Sequence, residues 1–255
     1  MLSHWHKALL LFLWIMPHVL LAVVAAIIWK RRLYEKFPCF FAYVVYEIAE
    51  FILLFALYVV PGAGKQYAYA FSATLLLSLA LRFGVIDEVA KDLFRESKLL
   101  KASARRLLQC VAGALLVMGV LLAVYAPGNN GARWHAGVSV VNRGAVMVQC
   151  GLLVSLLLFS RFLGLTWRRP AFGIALGLGI LTSIDLAASA LRAEFTSEIM
   201  KESLNLLITG AALVGVLIWL GYLLAPEPEP ASALTVVPQD EVKTWSTELQ
   251  HLLRD

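Results

Sequence analysis

Three carboxylates, one arginine and one histidine fall inside stretches of sequence otherwise apolar enough to lie in lipid. Glu47 and Glu50 stand near the middle of FAYVVYEIAEFILLFALYVV, and three residues apart on a helix they share one face, with Tyr43 one turn earlier. His18 follows Pro17 in the first apolar run, Asp185 lies in LTSIDLAAS, and Arg143 lies in VVNRGAV, where Asn142 and Gln149 add amides seven residues apart. Such groups can exchange protons or hold the polar atoms of a small ligand. A charge at the centre of a spanning helix costs about 2.5–3.5 kcal/mol on insertion scales, so these side chains are expected to avoid lipid and to find one another. Counting from the predicted helix ends puts His18 at the depth of Glu50, and Arg143 at the depth of Asp185. The sequence therefore predicts an intramembrane ion pair between Arg143 and Asp185. Desolvation and neighbouring like charge favour the neutral carboxyl, so at least one of Glu47 and Glu50 is expected to be uncharged at neutral pH. The expected ligand- or proton-binding residues are His18, Tyr43, Glu47, Glu50, Asn142, Arg143, Gln149 and Asp185. The competing reading of the same residues is a hydrogen-bonded network that fixes helix orientation.

The elements that must position these groups are membrane helices. The chain of 255 residues is 60% hydrophobic and only 15% charged, whereas soluble domains are nearer half apolar and a quarter charged. A spanning helix needs about 20 mostly apolar residues, and seven such runs occur, at 8–29, 38–60, 66–86, 107–126, 137–164, 171–192 and 204–225. They do not alternate as barrel strands would. The first run is too long for a secretory leader and stops at Lys30-Arg31-Arg32, so it reads as a helix. The predicted fold is all-α: a single bundle of seven transmembrane helices over 1–225, with a cytoplasmic tail at 226–255.

The net charge of +5 invites a nucleic-acid reading, but its distribution argues against it. Most of the 22 Lys and Arg residues, Lys30, Arg32, Lys36, Arg95, Arg106, Arg161 and Arg168 among them, fall on the side that also holds the carboxyl terminus. The positive-inside rule then puts the amino terminus outside and the carboxyl terminus in the cytoplasm. The third helix is expected to continue past the membrane as far as Arg95, and the basic segment SKLLKASARRLL after it to lie on the anionic inner surface. APGNNGARWHAG reads as a turn-rich outer loop. The tail opens with the stiff spacer PEPEP and closes with an amphipathic stretch carrying Val242, Trp245, Leu249 and Leu252. That stretch docks on the bundle, lies on lipid, or meets a partner; residues 86–106 and this helix are the expected surfaces for a protein partner, besides the bilayer itself.

Other constellations weaken on inspection. Cys39, Cys110 and Cys150 lack metal or redox spacing and read as buried small hydrophobes. His4, His6 and His135 read as surface histidines, and Arg82, Asp87 and Glu88 as snorkelling or solvated groups at the inner end of the third helix. Gly173 and Gly177 form a GxxxG step suited to close packing within the chain. No lysine lies within the apolar body of the last run to hold retinal, and no GxSxG or HExxH motif is present. No catalytic residue, metal or cofactor is expected.

KRRLYEKFPCFFAYVVYE, LRFGVIDEVAKDLFR and the region from the sixth run to the tail together give a chain that resembles uncharacterised bacterial seven-helix membrane proteins. The resemblance implies a bacterial cytoplasmic membrane and carries over no functional residue. The leading expectation is a non-enzymatic, receptor-like protein that takes a small ligand or proton at the outer polar cluster. A proton- or cation-coupled transporter and an accessory subunit of a larger membrane complex are the alternatives.

Overall fold

The structure is a computed structural model, described here for residues 4–95, 110, 113–114, 117, 130–162, 167–194 and 198–225. Those residues form six long helices: α1 (His4–Lys30), α2 (Pro38–Val59), α3 (Gly64–Leu93), α4 (Asn130–Phe162), α5 (Arg169–Glu194) and α6 (Glu198–Leu224), with one 3-10 turn at Leu33–Glu35. All six are long and apolar enough to cross a membrane, as expected of an integral membrane protein. Of the apolar run at 107–126 only Cys110, Gly113, Ala114 and Val117 are described, each helical and exposed. The basic segment at 97–108 and the expected tail helix lie outside the described residues. A division of the chain falls after Leu224, setting Met1–Leu224 apart from Ala225–Asp255.

One boundary differs from expectation and another agrees with it. α4 begins at Asn130, so the second half of the expected loop is helical. Pro127-Gly128 stops the chain before Asn130, and Ala132 to Ala136 contains good helix formers. α3 runs to Leu93, which at about 1.5 Å per residue gives some 45 Å of helix. Arg82 consequently sits well inside α3 rather than at its end.

The helices close a ring in chain order, α1 through α6 and back to α1, and α3 also meets α5 across it. Directions follow from polar contacts between helix ends. Arg168, just before α5, bonds Asp92 near the end of α3 at 3.4 Å. α4 ends only a few residues before α5 begins, so α3 and α4 run parallel although they touch. The ends of α1 and α6 also coincide, because Arg31 donates to the Leu223 and Leu224 carbonyls. One end of the bundle therefore gathers Lys30, Lys36, Arg95, Arg161 and Arg168, and is called the basic end below.

Two helix termini at that end are finished by side chains from other helices. α2 starts with Phe37, which offers no capping side chain, and Pro38. The free amides of Cys39 and Phe40 are taken instead by the Glu88 carboxylate of α3, at 3.0 and 2.9 Å. A carboxylate at a helix N-terminus and a guanidinium at a C-terminus both complement the helix dipole. Glu88 is buried, which overturns the solvated-surface reading: the apolar stripe continuing to Phe94 packs this turn of α3 inside the protein.

The tightest core sits toward the basic end. Ile28, Phe40, Val44, Val85, Ile86, Val89, Ile174, Leu178 and Trp219 are almost wholly buried there. α5 and α6 approach most closely, because Gly173 faces Tyr222 and Gly177 faces Trp219 with no room for a further carbon. Toward the other end large apolar side chains such as Ile52, Phe55, Phe71 and Leu207 are exposed, in keeping with a surface that faces lipid. Cys39 and Cys150 are only half-buried and Cys110 is exposed; an apolar thiol needs no protein cover where the surroundings are hydrocarbon.

Candidate functional site

The charged side chains meet in the middle of the bundle, and Arg82 is their hub. It projects from α3 with its Nη1 donating to Asp185 Oδ2 of α5 at 3.1 Å. Its guanidinium carbon lies 5.9 Å from the centre of the Tyr43 ring on α2, within reach of a cation–π contact. Tyr43 is itself buried, with its ring edge-on to Trp219 of α6 at 6.1 Å. Arg82 also feels the Glu47 carboxylate electrostatically. One α-helical turn before Arg82, Ser78 donates its hydroxyl to Glu47 Oε1 at 2.6 Å. A further turn on, the Tyr46 hydroxyl donates to the Thr74 carbonyl at 2.8 Å, and Glu50 lies beside the Thr74 side chain. α3 thus presents Thr74, Ser78 and Arg82 at helical spacing to Glu50, Glu47 and Asp185.

The expected partner of Asp185 is not the one it takes. Arg143 is exposed, and Arg82 holds the aspartate. Gln149, with 0% of its surface exposed, marks the inward face of α4. Arg143 precedes it by six residues, which at 100° per residue turns it well away from that face. Asn142, seven residues before, stays on the same face two turns along, half-buried and without a recorded contact to the cluster. His18 reaches α2 by stacking on Phe51 at 4.0 Å between ring centres, while its Nδ1 bonds the Trp14 carbonyl one turn back. Of the eight expected residues, Tyr43, Glu47 and Asp185 surround Arg82, Glu50 and His18 flank them, and Gln149 closes the α4 side. Arg82 and Ser78 were the missed members. Their four-residue spacing inside an apolar run was the available signal, obscured because an arginine near the end of such a run reads as snorkelling.

Two buried polar atoms in this region have no hydrogen-bond partner among the described residues: Arg82 Nε and Gln149 Oε1. The other end of the Gln149 amide, Nε2, donates to the Leu79 carbonyl at 3.2 Å, one turn before Arg82. A free donor and a free acceptor on neighbouring helices give the cluster capacity for a further hydrogen-bonding molecule, since buried polar groups are normally paired. Three carboxylates stand against one guanidinium, so protons or a polar ligand can also change its charge balance. Below the cluster the Phe40, Trp219, Ile86 and Leu178 layer seals the basic end. A separate cavity of about 330 Å³ between α4 and α5, lined by Cys150, Leu153, Gly179, Thr182 and Ser183, is apolar and includes none of the charged residues. No protein-family model matches this chain, and no curated protein or solved structure does.

Proposed function

We propose that this chain is a receptor-like, non-enzymatic protein of the bacterial cytoplasmic membrane that takes a small ligand or a proton at the cluster around Arg82. The observation that carries the reading is the bonded Arg82–Asp185 pair, faced by Tyr43 and Glu47 and closed off toward the basic end by packed apolar side chains. A polar interior above an apolar seal suits binding and signalling better than passage. α3 is the proposed transmitter. It bears Ser78 and Arg82 in the cluster, then Glu88 on the α2 terminus and Asp92 on Arg168, so a shift at the cluster is felt at the basic end.

Seven crossings, with the amino terminus outside, fit this layout. α3 and α4 are parallel neighbours, which supports a further crossing between them. In hydrocarbon a lone segment crosses as a helix, and the run at 107–126 has the length for one. The test is thermal unfolding of the purified chain across pH and against a small-molecule library, comparing wild type with Glu50→Gln. Loss of part of the pH dependence is expected. A superimposable pH profile removes the proton-linked version, and counterflow of any stabilising compound in proteoliposomes would replace receptor by transporter.

A further inference from the structure

The connection between α1 and α2 places an arginine where the backbone favours glycine. Arg32 has φ 52° and ψ 28°, and it is the sole non-glycine residue with positive φ among the described residues. It stands just past the end of α1, at the position where a left-handed glycine or asparagine usually ends a helix, because a Cβ there crowds the backbone. Its side chain is exposed, with no hydrogen bond or ion pair among the described residues. Lys30 and Lys36 are exposed on the same connection and likewise without a recorded partner, and Glu35 is the only acid among them. Arg31 differs, being committed to the end of α6. Topological bias toward basic residues explains the charge but not the choice of a strained position for it.

Beside this trio lies an aromatic platform. Trp29 stacks on Tyr34 at 5.2 Å and 24°, and Tyr34 meets Phe41 at 6.2 Å. Trp29 is 62% exposed. Exposed Trp and Tyr rings at the ends of spanning helices sit at headgroup level, which sets Lys30, Arg32 and Lys36 at the height of lipid phosphates. We propose that Lys30, Arg32 and Lys36 form a docking site for one anionic phospholipid headgroup, with Trp29 and Tyr34 against the lipid below it. The charge complementarity is direct, and the left-handed backbone at Arg32 turns the chain out of the α1 helix at that point. This goes beyond the ligand cluster and does not depend on it.

The experiment uses the full chain in nanodiscs of phosphatidylcholine alone or mixed with phosphatidylglycerol, reading melting temperature and bound lipid by native mass spectrometry. Arg32→Gly is the informative variant because the backbone there accepts glycine. It should melt at or above wild type in phosphatidylcholine, yet lose most of the gain that phosphatidylglycerol gives. Its affinity for phosphatidylglycerol should fall about fivefold, the equivalent of one basic side chain near an anionic surface. Lys36→Gln should fall similarly. Retention of the full gain by Arg32→Gly overturns the proposal. So does an equal loss from Arg161→Gln, an exposed arginine elsewhere at the same end, which would mean diffuse charge. Stabilisation of the phosphatidylcholine sample by inorganic phosphate to the same extent would assign the site to a free anion instead.

Discussion

Adding one methyl group at Gly177 should be among the most damaging small changes available to this protein. A Cβ built there lies 2.7 Å from Trp219 Cδ1 and 2.9 Å from Cε2, and closer still to the indole nitrogen. The indole cannot retreat. It is 2% exposed, its Nε1 donates to the Ile174 carbonyl at 3.3 Å, and Phe40 packs edge-on against it at 5.2 Å. Overpacking of this kind costs about 1–3 kcal/mol, and a buried indole donor stripped of its acceptor adds about 1–3 kcal/mol. Alanine returns about 1 kcal/mol through helix propensity, leaving a net loss of about 1–5 kcal/mol. For a chain of this size that is a fall of roughly 2–20 °C in melting temperature. Gly179, two residues on, is the internal control, since a Cβ there meets nothing within 4 Å; Gly179→Ala should be neutral or slightly stabilising. Thermal unfolding of both variants in one detergent provides the assay. A Gly177→Ala protein melting within a degree of wild type, or a Gly179→Ala protein falling just as far, would refute the close α5–α6 contact.

The ion pair makes a second prediction: Asp185→Asn strands Arg82 and should cost about 1–3 kcal/mol, less than the roughly 3–5 kcal/mol of a fully buried pair because the side chains remain 16% and 26% exposed. Arg143→Gln should change stability by less than about 0.5 kcal/mol, as surface substitutions do, and chemical unfolding in mixed micelles compares the two. Glu88→Ala should cost about 2 kcal/mol by orphaning two helix amides, and hydrogen exchange at Cys39 and Phe40 should quicken selectively. Gln149→Leu exchanges an amide with an unpaired oxygen for an apolar side chain of similar size, so stability should stay within about 1 kcal/mol; any compound that stabilises wild type through the cluster should lose its effect on this variant.

Legibility in the sequence followed what periodicity can carry. The six described helices stand out as apolar runs of spanning length, and the inward face of α2 was readable from Tyr43, Glu47 and Glu50 because helical spacing alone defines a face. The GxxxG step was legible for the same reason, as small residues one turn apart imply a close neighbour. The partner of Asp185 was not. Depth counting compares positions along helices but says nothing of rotation about them, and Arg143 has the right height on the wrong side of α4. Arg82 and Glu88 escaped because charges near the end of an apolar run read as snorkelling or solvated, and the helices that cover this part of α3 leave no mark in its own sequence. The caps formed by Glu88 and Arg31 join helices that are not adjacent turns of one pattern, so no local signal announces them.

The contact between α1 and α6 has a consequence for biogenesis. α1 can pack on α2 early, but it meets α6 only once the chain has been made as far as Leu224, so the ring of helices stays ajar until then. Until then Phe40 and Gly177 lack the Trp219 wedge, and Gly173 lacks Tyr222. A nascent chain arrested before residue 219 should therefore display an unfilled seam to membrane proteases, and release of α6 should be the step that makes the bundle resistant to them.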